Sequence, residues 1–508
     1  MQNYEESVSF LGTSGPFQRR VFVLLCLTSI PCGYNILSVI FLLAIPPHHC
    51  HIPASSNLSQ DWIQASIPVQ VRAGPERSSC SRYSLDVNQS VLGWSPEVVL
   101  SGLQQEGCRD GWTYSTEYYQ STVVTEFDLV CGNEWKQPLT SLVYFLGGLC
   151  GCFISGQISD RFGRKPALFG SIAILSIFSA AVSWASSWLV FTVLFFIMGV
   201  GQIGCFIVIF VLGSEILIGP TRFLFSQLGL PSVYVCGMLL LSGTAHLFRN
   251  WRYLSLAMAA PGLAFIPFWW LVPESPRWLV SRGRFQEAES LLRLAALENR
   301  VEAPPVIFLS TNVRALNLKA ESVSFLDLLR TKNIRNITLM LWFSMNVCYF
   351  GLSFDMSNLS GNPYLNNFLL SVVEIPAFAA TAMLLGCFPP PDLTALLLLP
   401  AGHPTLTLVL VLLGKFGVLA GISVLYMYTG ELFPTVVRNT AMSSCAMFAR
   451  VGSSLSPFLL HLAVFGQFLP WILVAFLSFL AALLCIFLPE TFRRPMPDTI
   501  QQMQRIRQ

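Results

Sequence analysis

The sequence predicts an all-α polytopic membrane protein of two six-helix bundles, twelve transmembrane helices in total with the ninth unusually short. Three observations lead there. The 508 residues are 53% hydrophobic and 11% charged, where an average soluble domain carries about 25% charged residues, so most of the chain has lipid for its solvent. Uncharged or nearly uncharged runs recur along the chain, each near the ~20 residues that cross a bilayer core of roughly 30 Å as helix. Two motifs of the first half also recur in the second, both displaced by the same distance along the chain.

Residues 1–20 read as a cytoplasmic N-terminus. After Gln18-Arg19-Arg20 the run Val21–Ile45 carries no charge. It is longer than a signal h-region, so it is expected to be a first span and not a cleavable leader. Runs at 139–159, 166–214 (length for two spans), 223–248 and 253–273 complete a first bundle over 21–272. A linker at 273–335 carries a helical pattern at Phe285–Leu297. The second bundle, 336–488, has runs at 336–354, 365–388, 404–430 and 439–488, the last long enough for two, and 489–508 form a tail. Its ninth span is the exception. Only 12 residues separate Pro391 from Pro404, and as helix they reach about 18 Å of a roughly 30 Å core. The second bundle is about 15 residues short here relative to the first, which predicts a locally mismatched helix or a shortened copy.

The polar stretch 46–138 holds Cys50, Cys80, Cys108 and Cys131 and the sequons at Asn57 and Asn88. It reads as a disulfide-bonded, glycosylated extracellular domain, with three pairings open. The remaining ten cysteines lie in or near apolar spans and read as small packing residues. The stretch 46–138 has five Lys/Arg against ten Asp/Glu, while 274–335 has ten Lys/Arg against seven Asp/Glu. The positive-inside rule therefore puts both termini in the cytoplasm, with Arg249 and Arg252 as a minor dissent. Net charge is only +3 and no basic run is interleaved with aromatics, which excludes a nucleic-acid partner on electrostatic grounds. No metal-ligand spacing, nucleophile elbow or phosphate-binding Gly-rich loop points to an enzyme, and no resident cofactor is expected.

The repeat points to transport. Glu215…Arg222 recurs as Glu431…Arg438, and Pro273-Glu274-Ser275 recurs as Pro489-Glu490-Thr491, both at one offset. A duplicated unit with ionisable groups at matching inner helix ends is the layout of a carrier whose halves alternate around a midplane site. Such groups pair in one state and separate in the other, so Glu215, Arg222, Glu274, Glu431, Arg438 and Glu490 are gating candidates; a role as simple topology anchors is the plainer alternative.

Ionisable groups in the hydrocarbon layer are functional candidates by default. Arg450 lies eleven residues after Asn439, roughly 16 Å deep as helix, where a guanidinium can grip a carboxylate in bidentate fashion. Glu374, followed by Pro376, can meet a substrate cation, a coupling cation or Lys415. Pro376 would free a backbone carbonyl and let the helix bend. Tyr234, Trp342, Tyr426 and Tyr428 can offer aromatic faces to a quaternary ammonium, Tyr426 and Tyr428 also being the candidates beside a coupling cation; each is otherwise a packing residue. An anion-binding Arg beside a carboxylate and aromatics suits a zwitterion carrying both charges.

The loop Gly156-Gln-Ile-Ser-Asp160-Arg161-Phe-Gly163-Arg164-Lys165 resembles the signature loop of the major facilitator superfamily, whose Asp and Arg are expected to lock against a neighbouring helix end. More narrowly, the chain resembles the organic cation/carnitine transporter branch of the solute carrier 22 family. The likeness runs from Tyr4 to about Met503 and rests on five segments: Phe10-Leu-Gly…Gln18-Arg19, Thr125-Glu-Phe-Asp-Leu-Val-Cys131, the Ser155–Lys165 loop, Pro273-Glu-Ser-Pro-Arg277-Trp278, and Gly414-Lys-Phe-Gly417…Arg438-Asn439. The resemblance implies the major facilitator fold and plasma-membrane alternating access for organic cations or carnitine-like zwitterions, with sodium as a candidate coupling ion. It gives Asp160, Arg161, Arg164 and Arg277 conformational roles and Arg450 a carboxylate. The chain departs from the carnitine-type pattern at Cys32 (Asn there), Cys205-Phe206 (Asn-Tyr) and Ala446 (Ser). Each lost hydrogen bond to a buried substrate group would cost about 1–3 kcal/mol. An organic-anion carrier and a transport-incompetent scaffold or binding protein are the competing expectations.

Overall fold

A backbone in lipid has no water to bond, so an apolar run must close its N–H and C=O groups on itself as helix. The computed structural model of the chain describes residues 8–52, 66–71, 75–83, 104–305, 307–308, 332–354, 361–384, 404–432, 438–462, 466 and 469–486. Among them, seven helices are long and apolar enough to cross a bilayer: Pro16–Leu42, Cys131–Phe162, Arg164–Val182, Trp188–Ile216, Pro220–Leu247, Trp251–Trp270 and Leu408–Tyr426. Thr338–Phe354 and Leu469–Ala481 are shorter apolar helices, and Arg438–His461 is a further long helix. The expected ninth span, Asn57, Asn88 and Glu490 lie outside the described residues.

The predicted duplication is visible in element boundaries. Trp188–Ile216 and Pro404–Leu432 are each 29 residues long, and their first and last residues are displaced by the same offset as the sequence motifs. Glu215 and Glu431 are the penultimate residues of their helices, and Arg438 opens the helix Arg438–His461. The expected bend at Glu374 is also present: Pro363–Val372 and Glu374–Leu384 are separate helical segments. Pro376 has no N–H to offer the carbonyl of Val372 four residues earlier, so the ladder breaks there.

The described residues form two compact units. One comprises Val39–Leu139 and Phe248–Trp251. It holds three two-stranded antiparallel sheets, His48–Cys50 with Trp112–Tyr114, Val69–Val71 with Pro75–Arg77, and Ser81–Tyr83 with Gln105–Gly107. Two disulfides, Cys50–Cys108 and Cys80–Cys131, pin them and decide among the three open pairings. Arg82 is buried between Glu106 at 3.1 Å and Asp110 at 2.7 Å, so its own charge is compensated.

The larger unit contains the remaining helices. Small residues let its first-half helices touch backbone to backbone: a Cβ on Gly147 would stand 2.1 Å from the Phe196 carbonyl oxygen, and one on Gly199 2.3 Å from that of Tyr144. Lipid tails are as apolar as leucine, so this close packing, and not water exclusion, holds such helices together. A core running from Phe17 and Val21 through Ile209 and Leu212 extends to Trp278, Ala288 and Leu292, docking the linker helix Phe285–Asn299 against the first span. Arg20 fixes that helix by a fork to both Glu298 oxygens, at 2.9 and 2.8 Å. Within the same unit Asn367 Nδ2 donates to Ser242 Oγ at 2.7 Å, and the Phe145 and Phe350 rings meet edge to face at 5.1 Å.

Candidate functional site

The signature loop folds as its sequence suggests. Gly163 joins two helices with φ +114° and ψ 160°, a conformation essentially confined to glycine. Any Cβ there would lie 2.5 Å from Glu274 Oε2. The tight turn aims Arg164 back at the end of the fourth-span helix, where Nε and Nη2 grip Glu215 Oε2 and Oε1 at 3.1 and 2.9 Å. Arg164 also bonds Asp160 and Ser159. Glu274 Oε1 accepts the backbone N–H groups of Arg164 at 2.9 Å and Lys165 at 3.2 Å, sitting at the N-terminus of the helix Arg164–Val182 where the helix dipole favours a negative charge. Trp278 Nε1 donates to the Asp160 carbonyl at 2.9 Å, and Arg282 bonds the same oxygen. Asp160, Arg164, Glu215 and Glu274 are thus one cluster. Glu215 gives both oxygens to Arg164, whereas the Arg222 Nε bonds the Leu217 carbonyl at 2.9 Å. Arg161 stacks on Phe162 at 5.6 Å, and Arg277 opens the short helix Pro276–Ser281. The side chains of Glu431 and Arg438 lie outside the described residues.

The membrane-embedded charges form a second group. Lys415 Nζ lies 2.8 Å from Glu374 Oε1, with the two side chains 0% and 2% exposed. The ammonium is close enough for an ion pair but makes no aligned hydrogen bond among the described residues. Tyr349 completes the pair, its hydroxyl donating to Glu374 Oε1 at 2.8 Å and its ring standing 5.1 Å from the ammonium. Of the three partners open to Glu374, the structure supplies Lys415.

Arg450 is different. Among the described residues it has no carboxylate within ion-pairing distance, and its helix, Arg438–His461, packs Cys445 and Ala449 against Trp342 and Tyr426. Trp342 is buried edge-on to Tyr426 at 4.3 Å and donates to Thr429 Oγ1 at 3.2 Å. Tyr428 lies on the same helix, Pro404–Leu432. The structure thus offers a guanidinium with no ion-paired carboxylate among the described residues, on a helix whose Cys445 and Ala449 pack with Trp342 and Tyr426, and a neutralised Glu374–Lys415 pair.

Sequence reasoning missed Tyr349 and Gln202. Tyr349 stands seven residues after Trp342, two turns along the same helix face, a spacing that could have flagged it. Gln202 Nε2 donates to the Cys32 carbonyl at 3.2 Å and to the Tyr234 hydroxyl at 3.3 Å. Its only sequence signal is an amide inside an apolar run.

A family model described as "Sugar (and other) transporter" matches residues 103–358. Solute carrier family 22 member 4 of Mus musculus is 43% identical, over 100% of this chain and 96% of its own length. Organic cation/carnitine transporter 2 of Homo sapiens is 44% identical, over 100% of this chain and 95% of its own. Among solved structures, the inward-open xylose transporter XylE from E. coli superposes with a TM-score of 0.61 at 14% identity, covering 96% of this chain and 99% of that one. XylE bound to 6-bromo-6-deoxy-D-glucose gives 0.59 at 15% identity, covering 97% and 99%. Fold and site define a polytopic helical transporter with the major facilitator architecture, not an enzyme. The chain belongs to the organic cation/carnitine transporter branch of the solute carrier 22 family.

Proposed function

We propose that the chain is a plasma-membrane secondary transporter of organic cations and zwitterions, carnitine- or betaine-like, working by alternating access. The observation that carries this is Arg450, a guanidinium with no ion-paired carboxylate among the described residues, on the long helix Arg438–His461 that packs against Trp342 and Tyr426. An uncompensated charge there is expensive and is retained where a ligand completes it. A substrate carboxylate forks onto Arg450, and its ammonium meets the rings of Tyr234, Trp342 and Tyr426. Glu374 and Lys415 exchange their mutual pair for contacts with substrate or a coupling cation; sodium is the candidate, with Tyr426 and Tyr428 beside it. Residues 21–272 and 336–488 are the two rocking bundles, linked by 273–335. The cluster around Asp160, Arg161, Arg164, Glu215, Arg222, Glu274 and Arg277, with its repeat at Glu431, Arg438 and Glu490, latches their cytoplasmic ends. Residues 46–138 are extracellular and glycosylated at Asn57 and Asn88, and both termini are cytoplasmic. The names of the relatives support the substrate class.

Uptake of a labelled betaine and of a simple organic cation by surface-expressed protein, with and without sodium, tests the reading. Arg450→Ala should cut betaine uptake at least tenfold, the equivalent of about 1.4 kcal/mol, and leave cation uptake within about twofold. Equal loss of both would remove Arg450 from the carboxylate role. A second reading, an organic-anion carrier, also follows from Arg450 and predicts uptake of carboxylates lacking a cation. Absence of all uptake at normal surface expression would sink both and favour a scaffold.

A further inference from the structure

A buried polar bond joins a first-half helix to a second-half one. Ser242 lies in the last two turns of Pro220–Leu247, and Asn367 in the second turn of Pro363–Val372. Both are buried, at 3% and 1% exposure. Asn367 Nδ2 donates to Ser242 Oγ at 2.7 Å, and that hydroxyl donates in turn to the Met238 carbonyl at 3.4 Å, so neither of these donors is orphaned. Rings flank the bond. His246, one turn beyond Ser242, meets Tyr364 at 5.3 Å, and Phe145 meets Phe350 and Phe354 at 5.1 and 5.9 Å. Glu215 of the Asp160–Glu274 cluster shortly precedes Pro220, so that cluster belongs to the other end of the same helix.

We propose that the Ser242–Asn367 bond is a latch that holds the two halves closed at this end and opens by exchanging its protein partner for water. The inference rests on the alternating-access reading, in which each end of the molecule parts in turn. Ring contacts alone would make parting a pure loss of packing. An amide and a hydroxyl are satisfied by each other when shut and by water when open, so both states are complete and little more than one bond separates them. The two partners are therefore coupled in a particular way. With Ser242→Ala the Asn367 amide is buried without its acceptor in the closed form only, which favours opening. Replacing both partners by apolar groups removes that penalty and lets the closed form recover.

Ser371 supplies the reporter. It follows Asn367 by four residues, on the same helix face. It is 0% exposed and its hydroxyl has no hydrogen-bond partner among the described residues, so Ser371→Cys disturbs little. Full-length protein carrying this substitution is treated in detergent with iodoacetamide, and the alkylation rate at position 371 is read by mass spectrometry. The rate reports opening whether or not any substrate moves, so failure of the latch and failure to transport are told apart. Ser242→Ala should raise the rate at least about fivefold, the effect of one buried donor left unsatisfied. Ser242→Ala with Asn367→Leu should bring it back toward the value without either change. A smaller rise in the single variant would overturn the proposal, as would a double variant alkylated no more slowly than the single one, the result expected of helix packing alone. If Ser371→Cys does not elute as folded protein, Leu370→Cys, 1% exposed beside it, takes its place.

Discussion

The Glu374–Lys415–Tyr349 group shows what a buried charge demands. Neither ion could persist alone at 0–2% exposure, and the tyrosine hydroxyl satisfies the same carboxylate oxygen that faces the ammonium. Removing one member leaves the other uncompensated, at a cost of about 3–5 kcal/mol, whereas replacing both with neutral groups of similar size can be nearly neutral. Lys415→Met should therefore lower thermal stability in detergent sharply, and Lys415→Met with Glu374→Gln should recover most of the loss. A double variant no better than the single one would show that the two residues are not energetically coupled. Glu374, Lys415 and Arg450 were legible in the sequence because an ionisable group in an apolar run is conspicuous. Tyr349 and Gln202 were not, because neutral polar side chains are common within spans and reveal themselves only by what they face.

At the scale of elements, the turn between the second and third spans binds three segments through Gly163, Arg164 and Glu274. Gly163→Ala forces a Cβ into a glycine-only conformation and against Glu274, so a loss of about 1–3 kcal/mol is expected from the backbone alone. It should appear as a lower unfolding temperature, and an unchanged one would mean that the turn relaxes without strain. Glu274 adds a pH dependence. Burial, outweighing its backbone N–H bonds from Ser275, Lys165 and Arg164, raises its carboxyl above the ordinary value of 4.5. The folded chain then holds this proton more tightly than the unfolded one. Its contribution is fully present below that ordinary value and is lost as pH rises through the higher folded value. Glu274→Gln should remove that component, flattening the gain in unfolding temperature on acidification from pH 7 toward 4.5; a slope identical to wild type would refute it. The motif named the residues of this turn but not their pairing. Glu215 and Arg222 recur together in sequence, yet the fork on Glu215 comes from Arg164, because only the folded turn places a guanidinium in line with that helix end.

For the whole molecule, the disulfides and the duplication answer different questions. Cys80–Cys131 closes a separation of 51 residues, for which the chain-entropy picture gives about 4 kcal/mol. Cys80→Ser with Cys131→Ser should accordingly reduce the fraction of chains reaching the cell surface and lower the unfolding temperature; normal values for both would show that the unit's short sheets hold without the bond. The sequence could list the four cysteines but not pair them, since pairing depends on which strands lie side by side. By itself the sequence determined the helical membrane class, the duplication seen again in helices Trp188–Ile216 and Pro404–Leu432, and the ionisable residues of the site. Those follow from local composition and period, which lipid converts into helix without reference to distant contacts. The tertiary structure alone decided the disulfide pairing, the seating of Lys415 on Glu374, and the absence of an ion-paired carboxylate at Arg450 among the described residues. Each of these depends on a distance between residues far apart in the chain, and neither composition nor spacing encodes a distance until the helices have packed.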